Sequence, residues 1–166
     1  MNTKSKKNIV IKIGTTSIIK NNKVDSTLLN KLVDIVKDFS KHYNFVIVTS
    51  GAVGLGASKL KYKTRPKSLK KLQVASAVGQ IELVNQYEKI FNKSKINIAQ
   101  VLITKNLIDD REQFVNTTQA LNELLSEGIV PVVNENDVVA TEELKFGDND
   151  RLSAIVSIIV DAEKLI

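Results

Sequence analysis

Apolar residues recur along this chain with two alternating periods. NIVIKIG (8–14) is dense in Ile and Val and stops at Gly14, and FVIVTSG (45–51), IAQVLIT (98–104) and IVPVVNEN (129–136) share its character. Short apolar runs bounded by glycine or polar turn residues read as buried strands. Between them the spacing changes. Leu28, Leu29, Leu32, Val33, Val36 and Phe39 fall at helical intervals, with Asp25 or Ser26 as the cap. Leu69, Leu72, Ala75, Val78, Ile81, Val84, Tyr87 and Phe91 trace one face of a longer helix, and a third runs from Phe114 through Leu125 to a stop at Gly128. The order β-α-β-α-β-α-β predicts an α/β fold: a mainly parallel sheet with helices on both faces and ligands gathered at the carboxyl ends of the strands.

Composition narrows the class. A chain of 166 residues that is 43% hydrophobic can bury one sizeable core, and it is too balanced to be disordered. The absence of cysteine removes disulfides, thiolate metal sites and a cysteine nucleophile together. The opening MNTKSKKNIVIKIG has a short apolar run broken by Lys12 and no small-residue cleavage site, which is not the pattern of a signal peptide. No uncharged run reaches the roughly 18 residues that would span a bilayer, so a soluble, cytoplasmic protein is expected.

The net charge of +6 conceals an uneven distribution. Residues 1–75 hold sixteen Lys or Arg against three Asp, and residues 76–166 hold eight against fifteen acids. The basic part attracts anions in general. Its lysines are scattered, however, and carry no nucleic-acid motif, so no specific nucleic-acid partner is expected. The densest basic run, KLKYKTRPKSLKK (59–71), reads as a solvated loop leading into a helix.

Chemistry concentrates after the first two strands. Of seven glycines, Gly14, Gly51, Gly54 and Gly56 lie in KIGTTS and TSGAVGLG, the expected ligand-side loops, where backbone N–H groups can approach phosphate oxygens. Neither loop spells a Walker or a GxGxxG sequence. Lys12 lies opposite Ile11 and Ile13 in strand alternation, just before the turn. It either snorkels to solvent or offers a point charge to an anion such as a transferring phosphoryl group. Asp148, Asn149 and Asp150 stand directly before the apolar run RLSAIVSIIV, as a redundant helix cap or as a binding corner. The lone His42, in KHYN, reads as a surface or capping residue.

Taken in order and spacing, IKIGTTSI, VIVTSGAVGLGASKL, KLQVASAVGQIEL, QVLITKNLIDDREQFVN, VPVVNENDVVAT and FGDNDRLSA resemble the amino-acid kinase family. Within it, NENDVVAT and GDNDRLSA resemble the branch that phosphorylates L-glutamate. The resemblance runs from about residue 8 to residue 166. It implies a three-layer αβα fold and ATP-dependent phosphorylation of the γ-carboxylate of L-glutamate, the first step of proline synthesis, with Mg²⁺ as the metal. It further implies a homo-oligomer and proline as a feedback inhibitor.

Position by position, the resemblance gives Lys12 the neutralisation of the transferring phosphoryl group and Gly14 and Gly51 the phosphate contacts. Ser50, Asp137 and Asn149 match glutamate-binding positions, and Asp150 matches the residue that orders the active-site lysines. Asn134 and Asn136 are further candidates, although NEN also suits a strand-end turn in which asparagines bond their own backbone. No metal ligand is singled out. The resemblance also implies a kinase domain that continues well past Ile166 with most of the adenine pocket and a second lysine, so residues 1–166 are expected to form its glutamate-binding portion, inactive alone. On that view DAEKLI begins a strand deep in the sheet. The alternatives are a non-catalytic amino-acid-binding module and a kinase of the acetylglutamate or aspartate type.

Overall fold

The computed structural model describes residues 6–139 and 149–166. Its elements in chain order are β1 (Lys7–Lys12), α1 (Thr15–Ile18), β2 (Ile19–Lys20), β3 (Lys23–Val24), α2 (Ser26–Phe39), β4 (Tyr43–Val48), α3 (Ala52–Lys59), α4 (Leu69–Lys93) and β5 (Ile98–Ile103). A 3-10 turn (Lys105–Asp109), α5 (Arg111–Ser126), β6 (Val130–Glu135), α6 (Asn149–Ile159) and β7 (Ala162–Leu165) follow. Five strands form a parallel sheet in the order β5-β6-β4-β1-β7. Strands buried on both faces need apolar side chains on both, which explains why β4 and β6 read as continuous runs. Pro131 sits one residue before β6 begins to pair with β4, where its missing N–H costs no ladder bond.

The direction of travel decides which face each helix covers. After β1 the chain moves outward to β4 and on to β5, and the helices on this course, α2, α3 and α4, pack with Ile9, Ile13, Phe45, Ile47, Val130 and Val132. It then turns back through β6 to β7 on the far side of β1, and α5 and α6 pack with Val10, Val46, Val48 and Val133. Crossovers of one hand place outward and returning connections on opposite faces. The predicted three-layer αβα arrangement is thus present. Among the described residues no helix is long and apolar enough to cross a membrane.

Several details depart from the periodicity. Two short strands, β2 and β3, form a hairpin through Asn21 and Asn22, both at positive φ, a two-residue turn that asparagine tolerates. Gly54 and Gly56 are not loop residues: both lie inside α3. The buried face of α4 includes the expected Leu72, Ala75, Tyr87 and Phe91 but is turned to one side, so that Ile81 is 63% exposed while Ser76, Gly79 and Gln80 are buried. β7 pairs with β1 in the described sheet. Asp25, as expected, caps α2 by accepting from the N–H groups of Thr27 and Leu28. His42 is exposed.

The turned face of α4 has a steric cause. Its backbone meets that of α3 so closely that a methyl group on Gly56 would stand 1.7 Å from the Ala75 carbonyl oxygen, and one on Gly79 would stand 1.8 Å from that of Ala52. Only glycine fits at either position. Gly79→Ala is therefore expected to lower stability by about 3 kcal/mol, read from the urea midpoint. Gly54→Ala, with open space around its added methyl, is expected to be neutral or stabilising by up to about 1 kcal/mol. Equal effects would remove the crossing from this account.

Candidate active site

The carboxyl ends of β1, β4 and β6 meet the start of α6. Thr49 and Ser50 follow β4, and the αL turn at Gly51, with φ 107°, sends the chain into α3. That turn requires glycine twice over, because a side chain would also strike Ile19 of the hairpin at 2.9 Å. Gly14, at the start of α1, has an ordinary φ of −74°, and a methyl added there would make an ordinary 3.4 Å contact with the Lys12 ammonium.

Lys12 projects from the sheet face covered by α6, with the side-chain alternation anticipated from Ile11 and Ile13. It reaches the first turn of that helix, where Lys12 Nζ and Asp150 Oδ1 are 2.7 Å apart. Asp150 is 73% exposed, so the pair contributes little to stability.

Asn149 is the point of convergence. Its Nδ2 donates to the Thr49 carbonyl oxygen at 2.5 Å, to Ser50 Oγ at 2.6 Å and, more weakly, to Asn134 Oδ1 at 3.3 Å. One amide thereby ties α6 to both β4 and β6. Asn134 Oδ1 also accepts from the Glu135 backbone N–H at 2.9 Å, so the strand-end turn bond and the long-range contact both exist. Asp137 follows in the same corner and accepts from Ser76 Oγ at 2.6 Å. Asn136 contributes its backbone N–H to the Ile103 carbonyl oxygen and lies outside the side-chain network. Asp148 lies outside the described residues.

Four further residues serve this corner without having been marked by sequence. Ser76, Gln80 and Tyr87 project from α4: Ser76 donates to Asp137, Gln80 Oε1 accepts from Asn134 Nδ2 at 2.8 Å, and Tyr87 Oη donates to Thr49 Oγ1 at 2.9 Å. Burial raises the Tyr87 hydroxyl pKa, only partly opposed by the Thr49 bond, and keeps it a donor. The fourth is Arg65. The basic loop is largely exposed and leads into α4, as expected, and within it partial burial lowers the pKa of the Arg65 guanidinium while the Asp137 charge acts in the opposite sense. Polar side chains on the buried face of an amphipathic helix were the available signal, and Ser76 and Gln80, four apart, gave it.

Among the described residues no group of three or more His, Asp or Glu side chains is placed to hold a metal ion. A concavity of about 750 Å³, between Lys7, Asn8, Asn44 and Glu163, lies at the opposite, amino end of the strands and brings none of these groups together. Among the described residues the carboxyl ends of the strands bring together the Lys12 ammonium, the Arg65 guanidinium near Asp137, the glycine turns at 14 and 51, and a set of amide, hydroxyl and carboxylate groups.

Residues 7–166 match the amino acid kinase family, and the chain belongs to it. Among curated relatives, the glutamate 5-kinase of Prochlorococcus marinus (strain MIT 9301) is 49% identical over 160 residues, covering 95% of this chain and 44% of the relative. The glutamate 5-kinase of Lactococcus lactis subsp. lactis (strain IL1403) is 40% identical over 171 residues, covering 99% and 63% respectively. The chain thus spans less than two thirds of the length of these relatives. Of solved structures, the UMP kinase from Ureaplasma parvum superposes with a TM-score of 0.61 at 16% identity over 98% of this chain and 68% of its own. The Giardia carbamate kinase gives 0.62 at 15% over 98% and 72%. At such identities the likeness concerns the fold alone.

The Tyr87–Thr49 bond supports the strand end from below. Tyr87→Phe and Thr49→Val are each expected to cost about 1 kcal/mol in chemical denaturation. The double variant is expected to lose less than the sum, since both remove one interaction. Strict additivity would show that the hydroxyls do not act as a pair.

Proposed function

We propose that this chain carries the amino-acid-binding part of an ATP-dependent kinase that phosphorylates the γ-carboxylate of L-glutamate. The observation that carries the reading is the convergence of Asn149 on Thr49, Ser50 and Asn134, beside Asp137 and the Lys12–Asp150 pair. In this reading Ser50, Asn134, Asp137 and Asn149 hold the amino acid, with the Asp137 carboxylate suited to its ammonium. Lys12, Gly14 and Gly51 face the phosphates, and Asp150 holds Lys12 in place.

The substrate γ-carboxylate, with a pKa near 4, is ionised at neutral pH and requires no general base. Its oxygen forms a bond to the γ-phosphorus as the bond from phosphorus to the bridging oxygen of ADP breaks. The site's task is to bring two anions together and offset their repulsion. Lys12 supplies the cation, and the N–H groups of Gly14 and Gly51 donate to no backbone carbonyl among the described residues. The described carboxylates do not form a metal cage. Mg²⁺, which keeps several waters and binds phosphate oxygens, would neutralise charge there without needing one. A cytoplasmic setting accords with the activity, while proline feedback and self-association rest on the resemblance.

The first test is ligand discrimination. Millimolar L-glutamate is expected to raise the thermal midpoint of the chain more than aspartate, N-acetylglutamate or UMP. Equal shifts from all four would sink the substrate assignment.

A second test is turnover. Glutamate-dependent ADP release is expected from the product of the whole reading frame and not from residues 1–166 alone. Lys12→Ala and Asp150→Ala are each expected to lower it by at least about a hundredfold with unfolding unchanged. Wild-type rates from both variants would show the chemistry to lie elsewhere.

A further inference from the structure

Gln80 is the residue of the site region that the functional reading leaves unexplained. It is buried on α4 at 8% exposure, its Oε1 accepts from Asn134 Nδ2 at 2.8 Å, and its Nε2 has no hydrogen-bond partner. A buried donor left without an acceptor lowers stability. An apolar side chain of the same size would avoid that cost.

The orientation of each amide follows from groups whose chemistry is fixed. The backbone N–H of Glu135 can only donate, so the Asn134 atom beside it is the oxygen. The other end of Asn134 is then its NH₂, which must find an acceptor inside the protein because Asn134 is only 3% exposed. Gln80 Oε1 is that acceptor. Its own NH₂ is thereby forced into the position without a partner. Turning Gln80 would set two NH₂ groups against each other, and turning Asn134 would set its NH₂ against the donors of Glu135 and Asn149. The network has one self-consistent setting, and the orphaned Gln80 Nε2 is its consequence.

We propose that Gln80 is a positioning residue for the amino-acid site, acting through Asn134 on Asn149. The inference rests on the assignment of those two asparagines to substrate binding. With Asn134 Oδ1 held toward α6, the Asn149 donors are committed to Thr49, Ser50 and Asn134, and Asn149 Oδ1 is left as the group that accepts from none of the described residues. Gln80 touches no reacting atom in this account. Its contribution is to keep the Asn134 amide from turning.

Gln80→Met provides the test, since methionine fills a similar volume and lacks both amide atoms. It removes one buried orphan, Gln80 Nε2, and creates another, Asn134 Nδ2, so the urea midpoint is expected to stay close to wild type. The side-chain amide signals of Asn134 and Asn149, assigned through Asn134→Asp and Asn149→Asp, are expected to shift and to exchange faster with solvent. L-Glutamate affinity is expected to fall about tenfold. Gln80→Glu keeps an acceptor for Asn134 and is expected to recover most of the affinity. Unchanged asparagine signals and glutamate affinity in Gln80→Met, or a loss of stability with affinity intact, would overturn the proposal. A wild-type chain that ignores L-glutamate would overturn the substrate reading instead, and the amide signals would still decide whether Gln80 positions Asn134.

Discussion

Two helix backbones in contact set the frame on which the site depends. Gly56 and Gly79 let α3 and α4 approach until each glycine lies against a carbonyl of the other helix, near Ala75 and Ala52. No other residue type permits that distance, so the crossing fixes both the height and the rotation of α4. Its rotation decides which side chains face the sheet. Ser76, Gln80 and Tyr87 then come beneath Asp137, Asn134 and Thr49 as three polar supports spaced along one helix. Because α3 begins at the Gly51 turn, the same crossing places the loop that carries Ser50.

The reversal of the chain after β5 brings the remaining parts together. Outward connections lie on one face and returning ones on the other, so α6 approaches the strand ends from the side opposite α4. Asn149 and Asp150 open α6 and reach across the edge of the sheet, one to β4 and β6 and the other to β1. A ligand at this edge would be held between the two layers. That accounts for the use of an amide at 149: it bonds protein on both strands through its NH₂ and retains an oxygen.

Charge is distributed to the same end. The basic first part of the chain and the acidic second part meet as Lys12 with Asp150 and as Arg65 near Asp137 at the carboxyl ends of the strands, and as Lys7 with Glu163 at the amino end. Exposed pairs of this kind contribute little stability. Two of these three meetings of opposite charge lie where the strand ends and the start of α6 converge.

How much of this was legible follows from the range of each interaction. The strands β1, β4, β5 and β6, the α2 cap at Asp25 and the side of the sheet that Lys12 takes could be read directly, because they depend on local periodicity and local hydrogen bonding. Gly54 and Gly56 could not be separated from the phosphate-side glycines, since a loop and a close helix crossing ask for the same residue. Nor could the buried face of α4 be chosen: apolar spacing favoured Ile81, whereas contact with α3 selected Gly79 and Gln80. The sequence by itself determined the main strands and long helices, their order and the residue types carried at the strand ends. Only the tertiary structure decided which groups meet there, because the bonds joining Asn149 to Ser50 and Gln80 to Asn134 span 99 and 54 residues and depend on how the helices pack on the sheet.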